Sequence, residues 1–286
     1  MTATVVHRGG GPRRALRPGR AVTGLVLFVL AAVMVAPLVW LLVQSFTAES
    51  AAFSLPPNWL PRPFSTDAFR SIDDLIPFGR MALNSVIVAV ISTAGSLLVS
   101  VLAGYAFSRL EFRGRTVLLM VMLSALMVPV QTTIIPVFVI MRTLGLVDEL
   151  PSLWLPALIN VFSIFFFRQY FDSIPRELDE AARIDGAGHG WILFRMLLPM
   201  SGPAIAATTI LTFEASWNNY FSPLIFLSSP DKMTLPVGLV TLQNGQSGSS
   251  TVVFAAITAV VVPVILVFLL FQRSFVASVA ATGLRG

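Results

Sequence analysis

The chain has 286 residues, of which 56% are hydrophobic and only 12% charged, a balance that excludes an ordinary soluble domain with its charged surface. Its net charge of +5 does not mark a nucleic-acid binder: apart from Lys232 every basic side chain is Arg, gathered in short segments between apolar runs, and that placement orients a membrane protein. With no Cys, disulfides, thiolate metal sites and cysteine nucleophiles are excluded.

The N-terminus, "HRGGGPRRALRPGR", carries Arg8, Arg13, Arg14, Arg17 and Arg20 among Gly and Pro, and reads as a basic, disordered tail over 1–20. The first apolar run, about Ala21 to Val43, fits either a secretory signal peptide or a retained helix. Its length and the lack of a small-x-small cleavage pattern favour the helix. The following segment, "ESAAFSLPPNWLPRPFSTDAF", is rich in Pro and has no helical period until near its end.

Five further runs follow, at about Leu83–Phe107, Val117–Met141, Leu153–Tyr170, Pro203–Phe226 and Val252–Phe271. Each approaches the roughly 20 residues a helix needs to cross hydrocarbon, and none shows the alternation of barrel strands. The expected fold is an all-α integral membrane protein of about six transmembrane helices. Arg109, Arg113 and Arg115, the loop near Asp179, and Arg273 with Arg285 alternate with less basic connections, which puts both termini in the cytoplasm. Arg168, near the inner end of the fourth run, can snorkel to the interface. The membrane domain is expected over 21–286, with its core over 84–272.

Familiar catalytic machinery is missing. There is no phosphate-binding Gly-rich loop ending in Lys-Ser or Lys-Thr, no HExxH and no GxSxG, and His7 and His189 are the only histidines, too few for a His-based metal cluster. The chain reads as a transport subunit and not an enzyme. Anything it moves uphill must draw energy from another polypeptide.

Two spans carry polarity. The third places Pro129 and Pro136 around Gln131, Thr132 and Thr133; either the freed carbonyls line protein or a cavity, or the Thr side chains bond back to a kinked helix. The fifth holds Glu214 near mid-depth, with Trp217, Asn218, Asn219 and Tyr220 beyond it. A carboxylate there marks a pathway or a helix partner, and Trp217 with Asn218 either meets a solute or packs a helix interface. The candidate pathway residues are Gln131, Glu214, Trp217 and Asn218.

The inside loop over 172–200 runs "DSIPRELDEAARIDGAGHGWILFRMLLP". Asp172, Ser173 and Pro175 suit a helix start, and Glu177, Asp179 and Glu180 suit its positive end. Ala181 and Ala182 leave room for a partner's close approach. Gly186, Gly188 and Gly190 break the helix. An apolar stretch from Trp191 to Phe194 then resumes an amphipathic helix, which Pro199 ends.

The order Glu180-Ala181-Ala182, Gly186, Met196, Leu198-Pro199 resembles the cytoplasmic coupling loop of binding-protein-dependent ABC importer permeases, with Met196 where that family usually has Ile. Asp185-Gly186-Ala187, Phe194, "NSVIVAV", "GYAFSRLEFRGR" and "SWNNYFSPLIFL" are similar to the sugar-importing branch, specifically its maltose-type second permease subunit. The resemblance implies a type I importer bundle in a bacterial plasma membrane. A second related permease, two copies of an ABC ATPase that binds ATP and Mg, and an extracytoplasmic solute-binding protein would be its partners. It implies no cofactor or metal in this chain. By matching positions Glu180, Ala181, Ala182, Asp185, Gly186, Gly188 and Pro199 would carry ATPase coupling. A glycerol-phosphate-type solute, or an ion-coupled transporter that uses Glu214, is the alternative.

Overall fold

The computed structural model describes residues 18–52, 54, 56, 58–245 and 249–283. His7, Arg8, Arg13, Arg14 and Arg17 of the basic tail, and Arg285, lie outside the described residues. Among the described residues the chain is helical, apart from one isolated bridge between Thr47 and Phe64.

The helices in order are α1 (Pro18–Ser45), α2 (Asp67–Leu75), α3 (Phe78–Arg109), α4 (Arg115–Ala125), α5 (Val130–Thr143), α6 (Pro151–Ala157), α7 (Val161–Asp172) and α8 (Glu177–Ile184). Then α9 (His189–Trp191), a π-wound stretch (Ile192–Leu197) and α10 (Leu198–Met200) run on as one rod. The chain continues with α11 (Gly202–Trp217), α12 (Phe221–Phe226), α13 (Leu235–Asn244) and α14 (Ser250–Gly283). Four segments, Val22–Ser45, Phe78–Arg109, Pro151–Asp172 and Ser250–Gln272, are long and apolar enough to cross a membrane, and two bent helix pairs bring the count to six.

α3 organises the bundle. Ser85, Ala89, Ser92, Ser96, Ser100 and Gly104 recur on one buried face at helical spacing, and small residues let backbones approach closely. A Cβ on Gly104 would stand 2.7 Å from Phe167 Cβ and 3.0 Å from the Arg168 backbone N, so glycine is what lets α7 lie against α3. Three buried apolar clusters all share α3: one with α2, α11, α13 and α14, one with α7, the rod and α11, and one with α5, α6 and α12. By contrast α1 stands outside, touching mainly α14, with Trp40 edge-on to Phe254 and nearly every apolar side chain exposed. That leaves an apolar face free for lipid or for a partner helix.

The sequence reading needs three corrections of shape. The expected third span, Val117–Met141, is two helices bent by 105°. Pro129 is extended at φ −60°, ψ 132°, and its ring disfavours the helical region for Val128 before it. Thr132 Oγ1 donates back to Pro129 O at 2.7 Å and Thr133 Oγ1 to Val130 O at 2.9 Å, as the kinked alternative required, while Pro136 is carried inside α5. The expected fifth span, Pro203–Phe226, breaks over 218–220, where Asn219 Oδ1 accepts the Ser222 N–H at 3.1 Å. The connection between the fifth and sixth expected runs contains α13, with Leu235, Val237, Gly238 and Leu242 buried.

The alternation of connections survives. The 110–114 turn and the α7–α8 loop meet at one end of the bundle, where Arg176 and Arg115 both donate to Ser108 O. The 144–150 turn and the 227–234 loop meet at the other. There Asp148 (φ 62°) accepts the Ser228 and Ser229 N–H groups at 2.8 and 2.9 Å and also the Ser229 hydroxyl. Lys232 Nζ donates to Asp148 O and Glu149 Oε1, both at 2.7 Å.

Candidate functional site

The loop at the first end is built from the close of α7. Ser173 Oγ donates to Tyr170 O at 2.6 Å, and Asp172 accepts from Ser108 Oγ at 2.7 Å while pairing with Arg168 at 3.3 Å. Asp172 and Ser173, expected to start the loop helix, therefore finish α7. α8 begins at Glu177 with Glu177, Asp179 and Glu180 in its first turn, where carboxylates meet the positive end of the helix dipole.

α8 ends in a Schellman motif. The Ala187 N–H reaches Ala182 O at 2.9 Å and the Gly186 N–H reaches Arg183 O at 3.0 Å, with Gly186 at φ +85°. Non-glycine residues rarely adopt that conformation. A Cβ on Gly186 would meet nothing within 4 Å, so its requirement here is conformational and the space beside it is open. Asp185 is the C-cap of α8, and Gly188, extended, is the N-cap of α9.

The apolar stretch after the turn splits by face. Ile192, Leu193 and Leu197 are buried against Phe167, Phe171 and Ile174, with Met196 packed beside them. Trp191 and Phe194 are exposed, as are Leu178 and Ile184, the last 87% exposed. Glu180 and Ala181 are exposed and Ala182 half-buried. Large apolar side chains exposed at the tip of a polar loop make it a candidate docking surface. Pro199, exposed, lies in the last turn of the rod, and Gly202 opens α11 at 79° to it.

Behind this surface the loop is fastened to α3. Arg109 Nε stands 2.6 Å from Asp179 Oδ2, off the line of a hydrogen bond, with the two side chains 3% and 9% exposed. Arg109 Nη2 donates to Ile174 O at 2.8 Å, and the Tyr105 hydroxyl is 2.9 Å from His189 Nδ1.

A second site lies within the bundle. A half-open cavity of about 550 Å³ lies where three helix breaks converge: Leu126 and Val128 between α4 and α5, Ile159 and Asn160 between α6 and α7, and Asn219 after α11. α3 contributes Ser85, Ser92 and Ser96, and α11 adds Thr212 and Ser216. No ionisable side chain lines it. Ser92 Oγ, Ser96 Oγ and Thr234 Oγ1 are buried without a hydrogen-bond partner among the described residues, so the wall offers hydroxyls with bonding capacity left.

The expected pathway residues do not converge on this cavity. Trp217 is 2% exposed, stacked on Phe213 and donating Nε1–H to Val260 O at 3.0 Å; its ring packs a helix interface. Glu214 and Asn218 sit on the exposed side of α11, with Asn218 Nδ2 donating to Glu214 Oε1 at 2.8 Å. Gln131 is exposed on α5. The cavity residues Ser85, Ser92, Ser96, Asn160, Thr212 and Ser216 were missed. The signal lay in the serines spaced seven and four apart in an otherwise apolar run, which places them on one helix face.

The family profile described as "Binding-protein-dependent transport system inner membrane component" matches residues 96–280. The arabinooligosaccharides transport system permease protein of Halalkalibacterium halodurans is 38% identical over 203 residues, 71% of this chain and 73% of that one. The diacetylchitobiose uptake system permease protein of Streptomyces coelicolor is 35% identical over 271 residues, 91% of this chain and 87% of that one. A chain of a bacterial ABC transporter involved in importing the acidic polysaccharide alginate superposes with a TM-score of 0.80 at 28% identity, covering 93% of this chain and all of that one.

Proposed function

The chain belongs to the family of binding-protein-dependent transport system inner membrane components, and we propose that the solute it passes is a neutral sugar or oligosaccharide. It is a multi-pass membrane permease subunit of an ATP-driven ABC importer, working with an ATPase and a solute-binding protein. In our reading ATP and Mg are held by two copies of that ATPase, a second related permease completes the path, and both termini face the cytoplasm. The permease domain then fills 21–286, and Glu180, Ala181, Ala182, Asp185, Gly186, Gly188 and Pro199 shape the ATPase-docking loop within 172–200.

The observation that carries the solute class is the cavity, roomy and lined by hydroxyl and amide groups with no charge. Such a wall suits hydroxyls, each able to donate and accept, whereas a phosphate ester calls for the charge of Arg or Lys. Relatives named for arabinooligosaccharides and diacetylchitobiose agree with that chemistry. Glu214 and Gln131 remain pathway residues in this proposal only where the second permease faces them.

The test is uptake into proteoliposomes holding the whole complex and its binding protein, with labelled arabinooligosaccharide, diacetylchitobiose and glycerol 3-phosphate compared. ATP-dependent uptake of a saccharide is expected, and none by this chain alone. Uptake of glycerol 3-phosphate only would overturn the sugar assignment. Ion-driven uptake by the single chain, lost in Glu214→Gln, would instead make it a secondary transporter.

A further inference from the structure

The chain joins α8 covalently to α7, and the rod to α11, so a displaced coupling loop would be expected to pull on those two helices. The polar contacts point elsewhere. Among the described residues, every polar contact the loop makes to a span outside its own connections goes to the last turns of α3: the Asp179–Arg109 ion pair at 2.6 Å, Ile174 O to Arg109 Nη2 at 2.8 Å, Ser108 O to Arg176 Nη2 at 2.9 Å, and His189 to Tyr105 at 2.9 Å. Asp172 adds Ser108 Oγ at 2.7 Å. These contacts bracket the docking turn from both sides.

We propose that Arg109 is a positioning residue that clamps the coupling loop to α3, so that the ATPase moves α3 and the loop as one rigid body. This rests on the coupling reading given above. Glu180 and Asp179 are neighbours with opposite outlooks: Glu180 is exposed to the partner, and Asp179 is buried on Arg109. A push received at the outer face is handed to α3 one residue away. The guanidinium is needed for its fork, since it holds a carboxylate and a backbone carbonyl in two directions at once, which an ammonium point charge does less rigidly. A sealed ion pair also resists slippage, because separating the charges leaves each buried alone.

From Arg109 the helix runs unbroken to Ser96 and Ser92, roughly 20 to 25 Å away at helical rise, and those residues line the cavity. The alternative route through α11 starts with a 79° bend. The α3 route delivers loop displacement straight to the cavity wall, with α7 carried along at the Gly104 contact.

The chain has no native Cys, so spin labels can be placed at will. Labels at Glu177→Cys and Leu102→Cys, both exposed positions, report the distance from loop to α3 in the assembled complex in nanodiscs. One narrow distance distribution, unchanged between nucleotide-free and ATP-bound states, is expected. In Arg109→Gln the distribution broadens and shifts when ATP binds, with the ATPase still co-purifying; Arg109→Lys falls between. A role in stability alone would lower the yield of complex and leave the nucleotide response alone. A wild-type distance that changes on ATP binding overturns the clamp without any variant. So does an Arg109→Gln, or an Asp179→Asn, complex that keeps the wild-type distribution in both states. Failure of the wild-type complex to hold its ATPase would instead sink the coupling reading beneath it.

Discussion

Gly186 and Gly104 are both required, for different reasons that separate in experiment. Gly186 stands at φ +85° with open space around its missing side chain. Placing Asp there costs this chain about 1–2 kcal/mol of backbone strain and fills the gap a partner enters. Gly186→Asp should therefore insert into the membrane and fold, yet lose ATPase co-purification and transport; full uptake with a bound ATPase would remove the loop from its docking role. At Gly104 the neighbour is backbone, which cannot yield. Gly104→Val should lower stability by about 1–3 kcal/mol or more, seen as earlier thermal unfolding in detergent. Gly95→Ala is the control, because its Cβ meets only the flexible tip of Leu158. Gly186 was legible from its place after Glu180-Ala181-Ala182. Gly104 was not, since nothing local announces which helix will lie across a glycine. Trp217 shows the same limit: an indole beside two Asn reads equally as a sugar platform or a packing residue, and only the carbonyl of Val260 43 positions on decides it.

At the level of elements, the apolar runs gave their positions but not their continuity. Pro129 announced a break, yet whether it kinks a span or folds it by 105° depends on what packs in the angle, here the cavity wall. α13 escaped because ten residues of "LPVGLVTLQN" are too short to span and sit in a connection whose charges read as outside. It is pinned by contacts distant in sequence, Leu235 N–H to Ser85 Oγ at 2.8 Å and Asn84 Nδ2 to Met233 O at 3.0 Å. The loop feeding it is tied to the α5–α6 turn by Asp148. Hydrogen bonds from Ser229 and Ser228 hold the Asp148 carboxyl at a pKa of about 2, below its ordinary 3.8, and its partner Glu149 raises that of Lys232. A carboxylate with a depressed folded pKa stabilises above its unfolded pKa and loses that contribution as pH falls through the folded one. Asp148→Asn keeps the left-handed backbone, which Asn tolerates, and removes the charge. Its melting temperature should lie below wild type at pH 7, with the gap closing between about pH 4 and pH 2. A gap independent of pH would show that the carboxylate charge does not hold these elements together.

The whole molecule has two kinds of flank. α1 presents a continuous apolar surface. α11 exposes Leu211, Glu214, Ala215 and Asn218, and Phe221 continues the exposed surface at the start of α12. Glu214 lies 12 residues into α11, which with the rod forms a bent candidate span, and among the described residues its one hydrogen-bond donor is Asn218 from the next turn. A carboxyl group at that depth facing lipid costs about 2.5–3.5 kcal/mol even on the mildest scales, and one neutral amide repays little of it. In the proposed assembly the second permease covers this flank, and Glu214 would find there a donor that the described residues of this chain do not supply. The roles of charge and of hydrogen bonding separate in two variants. Glu214→Gln keeps the size and the capacity to bond, so it should retain co-purification of the second permease at close to the wild-type level. Glu214→Leu suits lipid better and an interface worse, so it should raise the amount of this chain recovered alone and cut the paired fraction by about fivefold or more. Equal pairing in both variants would mean that α11 faces lipid, and that the partner meets the bundle elsewhere. Loss in both would make the ionised carboxylate itself the contact, pointing to a cation on the partner's facing helix.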